Sequence, residues 1–347
     1  MKFNKLGNTD IDISAICLGT MTWGEQNTQD EAFAQMDMAV DMGVNFFDVA
    51  EMYPVPPKQE TYGSTESYVG NWLSERGMRD KIVLATKVAG RVSRNSGMSY
   101  IRNGCRLNRE NINQAIDGSL KRLKTDYVDL YQVHWPERAA NFFGELEYRH
   151  SDDDGVAIEE SLDALNDLVK AGKVRYVGIS NETPWGMMEY LRIAKEKGFS
   201  RIVSIQNPYN MLNRTFDVGC SEISIREKVG LLAYSPLAFG ALSGKYLGGQ
   251  SPEGARLTLF TRFQRYLNPL AEQATEAYVT LARQHELDPA QMALAWVNQR
   301  QTVCSNIIGA TSLEQLQDNI ESIDIELSTE VLEKIDEIHT KTPNPAP

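Results

Sequence analysis

Residues 174–206 read VRYVGISNETPWGMMEYLRIAKEKGFSRIVSIQ. The apolar run 174–180 has the length and β-branched content of a buried strand. Thr183-Pro184 follows. A threonine hydroxyl caps the first unpaired N–H groups of a helix, and proline suits the first helical position because its missing N–H would go unpaired there anyway. The amphipathic stretch 184–197 stops at Gly198, and a second apolar run begins at Ile202. Strand, helix and strand in succession imply parallel strands, because a parallel neighbour is reached only through a crossover.

The same unit recurs along the chain. Apolar runs stand at 16–19, 44–48, 82–87, 127–134, 174–180, 202–206, 231–235 and 305–308. Helical patterns lie between and after them, at about 29–42, 64–76, 109–123, 157–171, 184–197, 215–227, 269–300 and 312–322, and a last one near 328–339 has Ser328 as its N-cap. Asp288-Pro289 repeats the cap-and-proline device. Eight such units predict a closed (β/α)8 TIM barrel, a single domain over residues 1–347. The open doubly wound sheet is disfavoured, because the 25 glycines include no pair spaced Gly-x-Gly and its dinucleotide fingerprint is absent. Segment 5–14, with Gly7-Asn8-Thr9-Asp10 at its middle, predicts an N-terminal β-hairpin that plugs one barrel end. Long connections at 88–108, 136–155 and 238–268 all leave the carboxyl ends of strands, the face where barrels keep their sites.

Composition narrows the function. Acidic residues number 47 against 35 basic ones, a formal net charge of −12, which argues against partners built from phosphate, such as nucleic acid or anionic membrane. Cys17, Cys105, Cys220 and Cys304 are scattered, without a Cys-x-x-Cys pair, as expected of free thiols in a reducing cytoplasm. No stretch reaches the ~18 apolar residues of a membrane span. His134, His150, His285 and His339 lie too far apart in sequence to suggest a metal site.

The strand ends carry the chemistry. The second apolar run ends at Asp48, the third at Lys87 and the fourth at His134, so three neighbouring strands deliver a carboxylate, an ammonium and an imidazole to one rim. Tyr53, on the proline-stiffened loop AEMYPVPP after the second run, reaches the same place. Each has a bland reading alone: a turn-forming aspartate, a solvated lysine, a satisfied histidine, a packed aromatic. Together they make a general acid. An adjacent ammonium stabilises a phenolate and is expected to lower the phenol's pKa. Such an acid suits a developing alkoxide, the species that hydride transfer to a carbonyl generates.

These residues sit in a longer pattern: LGTMTWG (18–24), FFDVAEMY (46–53), YGSTESYVGNWL (62–73), ATK (85–87), SLKRLKTDYVDLYQVHWP (119–136), GKVRYVGISN (172–181), IQNPYN (205–210), AYSPLAFGALSGKY (233–246) and IIGATSLEQLQDNI (307–320). The pattern resembles the aldo-keto reductase superfamily over essentially the whole chain. That resemblance implies an NADP(H)-dependent oxidoreductase that reduces aldehydes or ketones, with Tyr53 as proton donor and Asp48, Lys87 and His134 as its partners. It also implies an extended dinucleotide across the barrel mouth. Thr20, Met21 and Asp48 lie on its path. Ser180, Asn181 and Gln206 would meet the nicotinamide carboxamide, and Tyr234 would stack on the ring. Small residues in the loop of Ser235, Pro236, Leu237, Ala238, Gly240, Leu242, Ser243, Gly244 and Lys245 would admit the pyrophosphate. The last loop departs from one familiar pattern, having Gly309 and Gln315 where many members place Lys and Arg. By the same resemblance Ser312, Gln315, Asn319 and the distant Arg256 are the residues offered to the 2′-phosphate instead, with Gly309 and Thr311 among the cofactor-binding positions. The resemblance leaves a second reading open: a cofactor-binding, redox-sensing regulatory subunit with little turnover. A Schiff-base lyase using Lys87 is a third.

Two loops have opposite sign. Residues 91–109 hold Arg91, Arg94, Arg102, Arg106 and Arg109 and no acid, while the next long loop holds Glu145, Glu147, Asp152, Asp153 and Asp154. Either they pair on the surface, or some arginines face the cleft and favour an anionic carbonyl substrate or clamp the cofactor. Trp23, Tyr53, His134 and Trp135, with Phe142 or Phe143, are the expected wall for a small-molecule carbonyl substrate.

Overall fold

The computed structural model describes residues 1–92, 97–151 and 154–347; Arg94, Asp152 and Asp153 lie outside them. A hairpin of β1 (Phe3–Lys5) and β2 (Asp12–Ser14) opens the chain. Eight parallel strands follow: β3 (Ile16–Gly19), β4 (Phe46–Asp48), β5 (Val83–Val88), β6 (Val128–Val133), β7 (Val174–Ser180), β8 (Ile202–Pro208), β9 (Gly230–Tyr234) and β10 (Val303–Ile308). They close in the order β10-β3-β4-β5-β6-β7-β8-β9, a (β/α)8 TIM barrel with helices between successive strands.

Strand period fixes what the barrel encloses. Side chains two apart on a strand share a face. Cys17, Phe46, Ala85, Leu130, Val203, Leu232 and Ile307 form an interior apolar cluster, and Leu6, Ile11 and Ile13 of the hairpin complete it, each at most 8% exposed. The hairpin therefore plugs the end away from the mouth, as its sequence predicts. Two residues on from Phe46, Ala85 and Leu130 stand Asp48, Lys87 and Gln132, the polar layer above the apolar one.

Two helical segments differ from the sequence pattern. The stretch 215–227 is two short helices, Thr215–Gly219 and Ser221–Glu227, meeting at Cys220. The stretch 269–300 is Pro269–Gln284 followed by Pro289–Asn298. The break there has a local cause: Asp288 accepts from the N–H of Gln291 and Pro289 takes the first helical position, so a new helix starts instead of the old one continuing. Val44 is not in β4; its N–H closes the preceding helix by donating to Ala39 O at 2.9 Å. No helix among the described residues is long and apolar enough to cross a membrane.

Helix Ser64–Arg76 packs on helix Arg109–Leu123 through Gly70, which is buried. A Cβ at Gly70 would lie 2.1 Å from Arg122 O and 2.7 Å from Leu123 Cα, both backbone atoms. Alanine would gain about 1 kcal/mol of helix propensity. Overpacking against a rigid backbone costs about 1–3 kcal/mol and acts on both helices. Gly70→Ala is expected to lower the unfolding midpoint in a denaturant titration; an unchanged or raised midpoint would show that the helices separate freely.

Candidate active site

The four residues converge. Lys87 Nζ donates to Asp48 Oδ2 at 2.6 Å, to Val49 O at 2.8 Å and to Tyr53 OH at 3.3 Å. The Tyr53 and His134 rings meet in a T-shaped arrangement with centroids 5.8 Å apart. Lys87 is fully buried, and Asp48, Tyr53 and His134 are nearly so. Asp48 Oδ1 accepts from Gln206 Nε2 at 2.9 Å and Gln132 Nε2 at 3.1 Å, and the Thr20 hydroxyl donates to Asp48 O at 2.8 Å. Three donors thus reach the two oxygens of this buried carboxylate, which is what keeps a charge tolerable without water.

Electrostatics settles the protonation states. Burial pushes the Tyr53 phenol up; Lys87 pulls it down, Asp48 pushes it up further, and the net direction is upward. The downward expectation drawn from the ammonium alone is corrected here, because losing water destabilises the phenolate more than one neighbouring cation restores. Burial pulls Lys87 down, but Asp48 and Tyr53 outweigh it, and the amine is raised and stays charged. Burial, then repulsion from Lys87, holds His134 well below the ordinary imidazole value, so the ring is neutral. Its Nδ1 is buried without a partner among the described residues.

The residues that the sequence resemblance offers to a dinucleotide also meet at the mouth. Tyr234 OH donates to Asn181 Oδ1 at 2.6 Å, Asn181 Nδ2 donates to His134 O at 2.9 Å and Ser180 Oγ at 3.1 Å, and Ser180 Oγ donates to Gln206 O at 2.8 Å. In the loop after β9, Ser235, Ala238, Phe239, Gly240 and Gly244 all have positive φ. Runs of such turns aim successive N–H groups into a concavity that suits an anion. Lys245 folds across Gly240, leaving 2.9 Å between its Cε and a Cβ built there. Arg256 Nη1 lies 3.6 Å from Met21 Sδ, with its guanidinium 5.5 Å from the Phe239 ring centroid. Burial lowers both cations, and Arg256 lowers Lys245 further. Neither forms an ion pair among the described residues. In the last loop, Gln315 Oε1 accepts from Thr311 N at 3.1 Å, Ser312 caps the helix Leu313–Glu321, and Asn319 Nδ2 donates to Gly309 O at 3.2 Å. Asn27 ties this loop to the one carrying Thr20 and Met21 through Thr311 O at 3.1 Å. A planar polar ring and an anionic chain fit these residues.

Three expectations need correction or resolution. Trp23 is fully buried, its Nε1 donating to Gln35 Oε1 at 3.1 Å, so it belongs to the core beneath helix Gln29–Asp41 and not to a substrate wall. Trp135 does stand at the mouth, its ring centroid 4.9 Å from His134 and 6.0 Å from Phe143. Each described loop arginine has an acidic partner. Arg91 pairs with Asp154, Arg106 with Glu137 and Asp154, and Arg109 with Asp163 and Asp167. Arg102 turns inward to Glu51, with Nη1–Oε2 at 2.5 Å and Nη2–Oε1 at 2.7 Å.

Glu51 was missed in the sequence. It is fully buried, two residues before Tyr53, and also accepts from Ala89 N at 2.7 Å and Tyr62 OH at 3.2 Å. It pins the turn bearing Tyr53 to the end of β5 and to the following loop. The available signal was an acid inside the apolar turn 49–53 beside an acid-free loop rich in arginine. A separate groove of ≈ 340 Å³, lined by Leu107, Arg138, Ile158, Trp185 and Tyr190 among others, holds none of the four convergent residues.

Comparison with known proteins agrees with this geometry. The model of the Aldo/keto reductase family matches residues 15–340. Protein tas of Escherichia coli is 52% identical over 100% of both chains. An aldo-keto reductase of Babesia bovis is 40% identical over 76% of this chain and 98% of its own. The L-glyceraldehyde 3-phosphate reductase of Escherichia coli is 30% identical over 97% of this chain and 92% of its own.

Arg102→Met would leave the buried Glu51 carboxylate facing only Ala89 and Tyr62. Stranding a charge in this way costs about 3–5 kcal/mol. Chemical denaturation is expected to show that loss, and the double substitution Arg102→Met/Glu51→Gln to recover part of it. A single variant as stable as the parent would mean that the pair is not holding the turn.

Proposed function

The chain belongs to the Aldo/keto reductase family, a family of oxidoreductases, and from that premise we propose that it reduces aldehydes or ketones to alcohols with a nicotinamide dinucleotide, NADPH in preference to NADH. The observation that carries this reading is the buried ammonium of Lys87 held between Asp48 at 2.6 Å and the Tyr53 hydroxyl at 3.3 Å. The bound cofactor supplies the hydride. Tyr53 gives its proton to the carbonyl oxygen as negative charge develops there, and the resulting phenolate is stabilised by Lys87 until solvent reprotonates it. Asp48 keeps Lys87 charged and in place. Neutral His134 offers a ring N–H to the same oxygen and, uncharged, does not compete with Tyr53 as acid. Trp135 and Phe142 give the carbonyl an apolar wall that excludes water. The preference for NADPH is supported by Lys245 and Arg256, two mouth cations without a carboxylate partner among the described residues.

Turnover distinguishes this reading from a regulatory subunit. Oxidation of NADPH, followed by absorbance against a panel of aldehydes and ketones, is expected; binding without oxidation across the panel would sink the reductase reading. Tyr53→Phe is expected to lower kcat by about 10²–10⁴-fold, the usual share of a general acid, while leaving cofactor affinity nearly unchanged. Retained turnover would remove Tyr53 from the role of donor.

The pH dependence has a definite sign. The donor must be protonated, and the Tyr53 value is raised, so carbonyl reduction holds through neutral pH and is lost only as pH rises through the raised phenol value. His134, already neutral, adds no step near pH 7. A kcat profile that falls between pH 6 and 8 would contradict both assignments.

A further inference from the structure

One polar side chain in the interior layer has no part in the chemistry above. Gln132 lies on β6 between Leu130 and His134 and is fully buried. Its Nε2 donates to Asp48 Oδ1 at 3.1 Å, and its Oε1 accepts from Gln206 Nε2 at 3.2 Å. Gln206 Nε2 also donates to Asp48 Oδ1 at 2.9 Å. The three side chains close a ring of hydrogen bonds on the oxygen of Asp48 that Lys87 does not use. Space for it comes from β7: a Cβ at Gly178 would sit 3.1 Å from Gln132 Cγ and 2.6 Å from Ser204 Oγ.

Packing alone does not call for an amide here. A buried amide is costly unless its atoms are bonded, and an apolar side chain of the same length would fill the layer. The ring does something an apolar residue cannot. It consumes the Gln206 NH₂ on Asp48 and Gln132, so the amide cannot flip without setting its oxygen against two acceptors. Gln206 Oε1 is left as the amide atom not used by the ring.

We propose that Gln132 is a positioning residue that couples the two halves of the site, holding the Asp48 carboxylate for Lys87 and fixing the Gln206 amide toward the nicotinamide carboxamide. The proposal rests on the reductase reading. Lys87 and the cofactor's amide are thereby oriented by one set of hydrogen bonds, and loosening the ring disturbs both.

Two substitutions in the full chain test it, with NADP⁺ affinity read by tryptophan fluorescence and kcat by NADPH oxidation. Gln132→Met keeps the volume and removes both hydrogen bonds. It is expected to weaken NADP⁺ binding about tenfold and to lower kcat, in line with the loss of a hydrogen bond to a charged group. Gln132→Glu carries a carboxyl group whose protonated form can donate to Asp48 while accepting from Gln206. Beside another carboxylate it holds its proton to higher pH than an isolated one. That variant is therefore expected to bind NADP⁺ like the parent at the acid end of the series and about tenfold more weakly once the introduced group ionises, a step the parent lacks. A folded Gln132→Met with parental affinity and kcat would overturn the proposal. If that variant does not fold, a Gln132→Glu affinity that keeps a constant ratio to the parent across pH overturns it instead. A parent chain that binds neither NADP⁺ nor NAD⁺ would overturn the reductase reading and this inference together, an outcome distinguishable from the other two because it appears before any substitution.

Discussion

The ammonium of Lys87 has no contact with water, and the architecture of the mouth follows from keeping it charged. Taking a cation out of water costs several kcal/mol, and mutual attraction offsets this only when geometry is close and every remaining donor and acceptor is matched. Asp48 supplies the opposite charge and Val49 O a second acceptor. Asp48 in turn needs donors on its other oxygen, and two glutamines from β6 and β8 provide them. The demand for compensation thus spreads from one side chain to four strands. A barrel meets it because alternate strands, here β4, β6 and β8, send side chains into one interior layer.

A second buried pair performs the matching task outside the barrel wall. Glu51 and Arg102 lock the turn after β4 to the loop after β5, and the phenol of Tyr53 hangs from that turn. Burial separates these ions from the surface pairs of Arg91 or Arg109, whose partners are partly or largely exposed and contribute little. Tyr53 is therefore placed twice, by the hydrogen bond of its hydroxyl to Lys87 and by the Glu51–Arg102 pair that anchors the turn from which it hangs.

What the sequence disclosed follows from periodicity. Strand and helix positions were legible because apolar runs and cap signals such as Thr183-Pro184 are local, and Asp48, Lys87 and His134 were legible because an ionisable residue closing an apolar strand has few places to point. The pairing of Glu51 with Arg102 was not, since it depends on how two loops fold over each other across the intervening helix. Gln132 was hidden for a different reason: within YVDLYQVH it reads as one polar residue in a strand, and only closure of the barrel shows that it faces Asp48. Trp23 misled because a tryptophan after a strand end suggests a mouth, whereas the bond of its indole to Gln35 carries it under a helix.

The opposed pulls on Tyr53 bear on the kind of acid that the proposed function asks of it. An ammonium acting alone would make a stronger acid, one that partly ionises in the resting protein and then cannot donate. Burial reverses that balance and keeps the proton on the phenol until charge appears nearby. The ammonium still matters, because its attraction for the phenolate is exerted in the same dry setting, where a charge acts more strongly than in water. Lys87 pulls the resting value down without overcoming burial, and in the proposed reaction its attraction would grow as the proton leaves, which is the condition for an interaction to favour a transition state over a ground state.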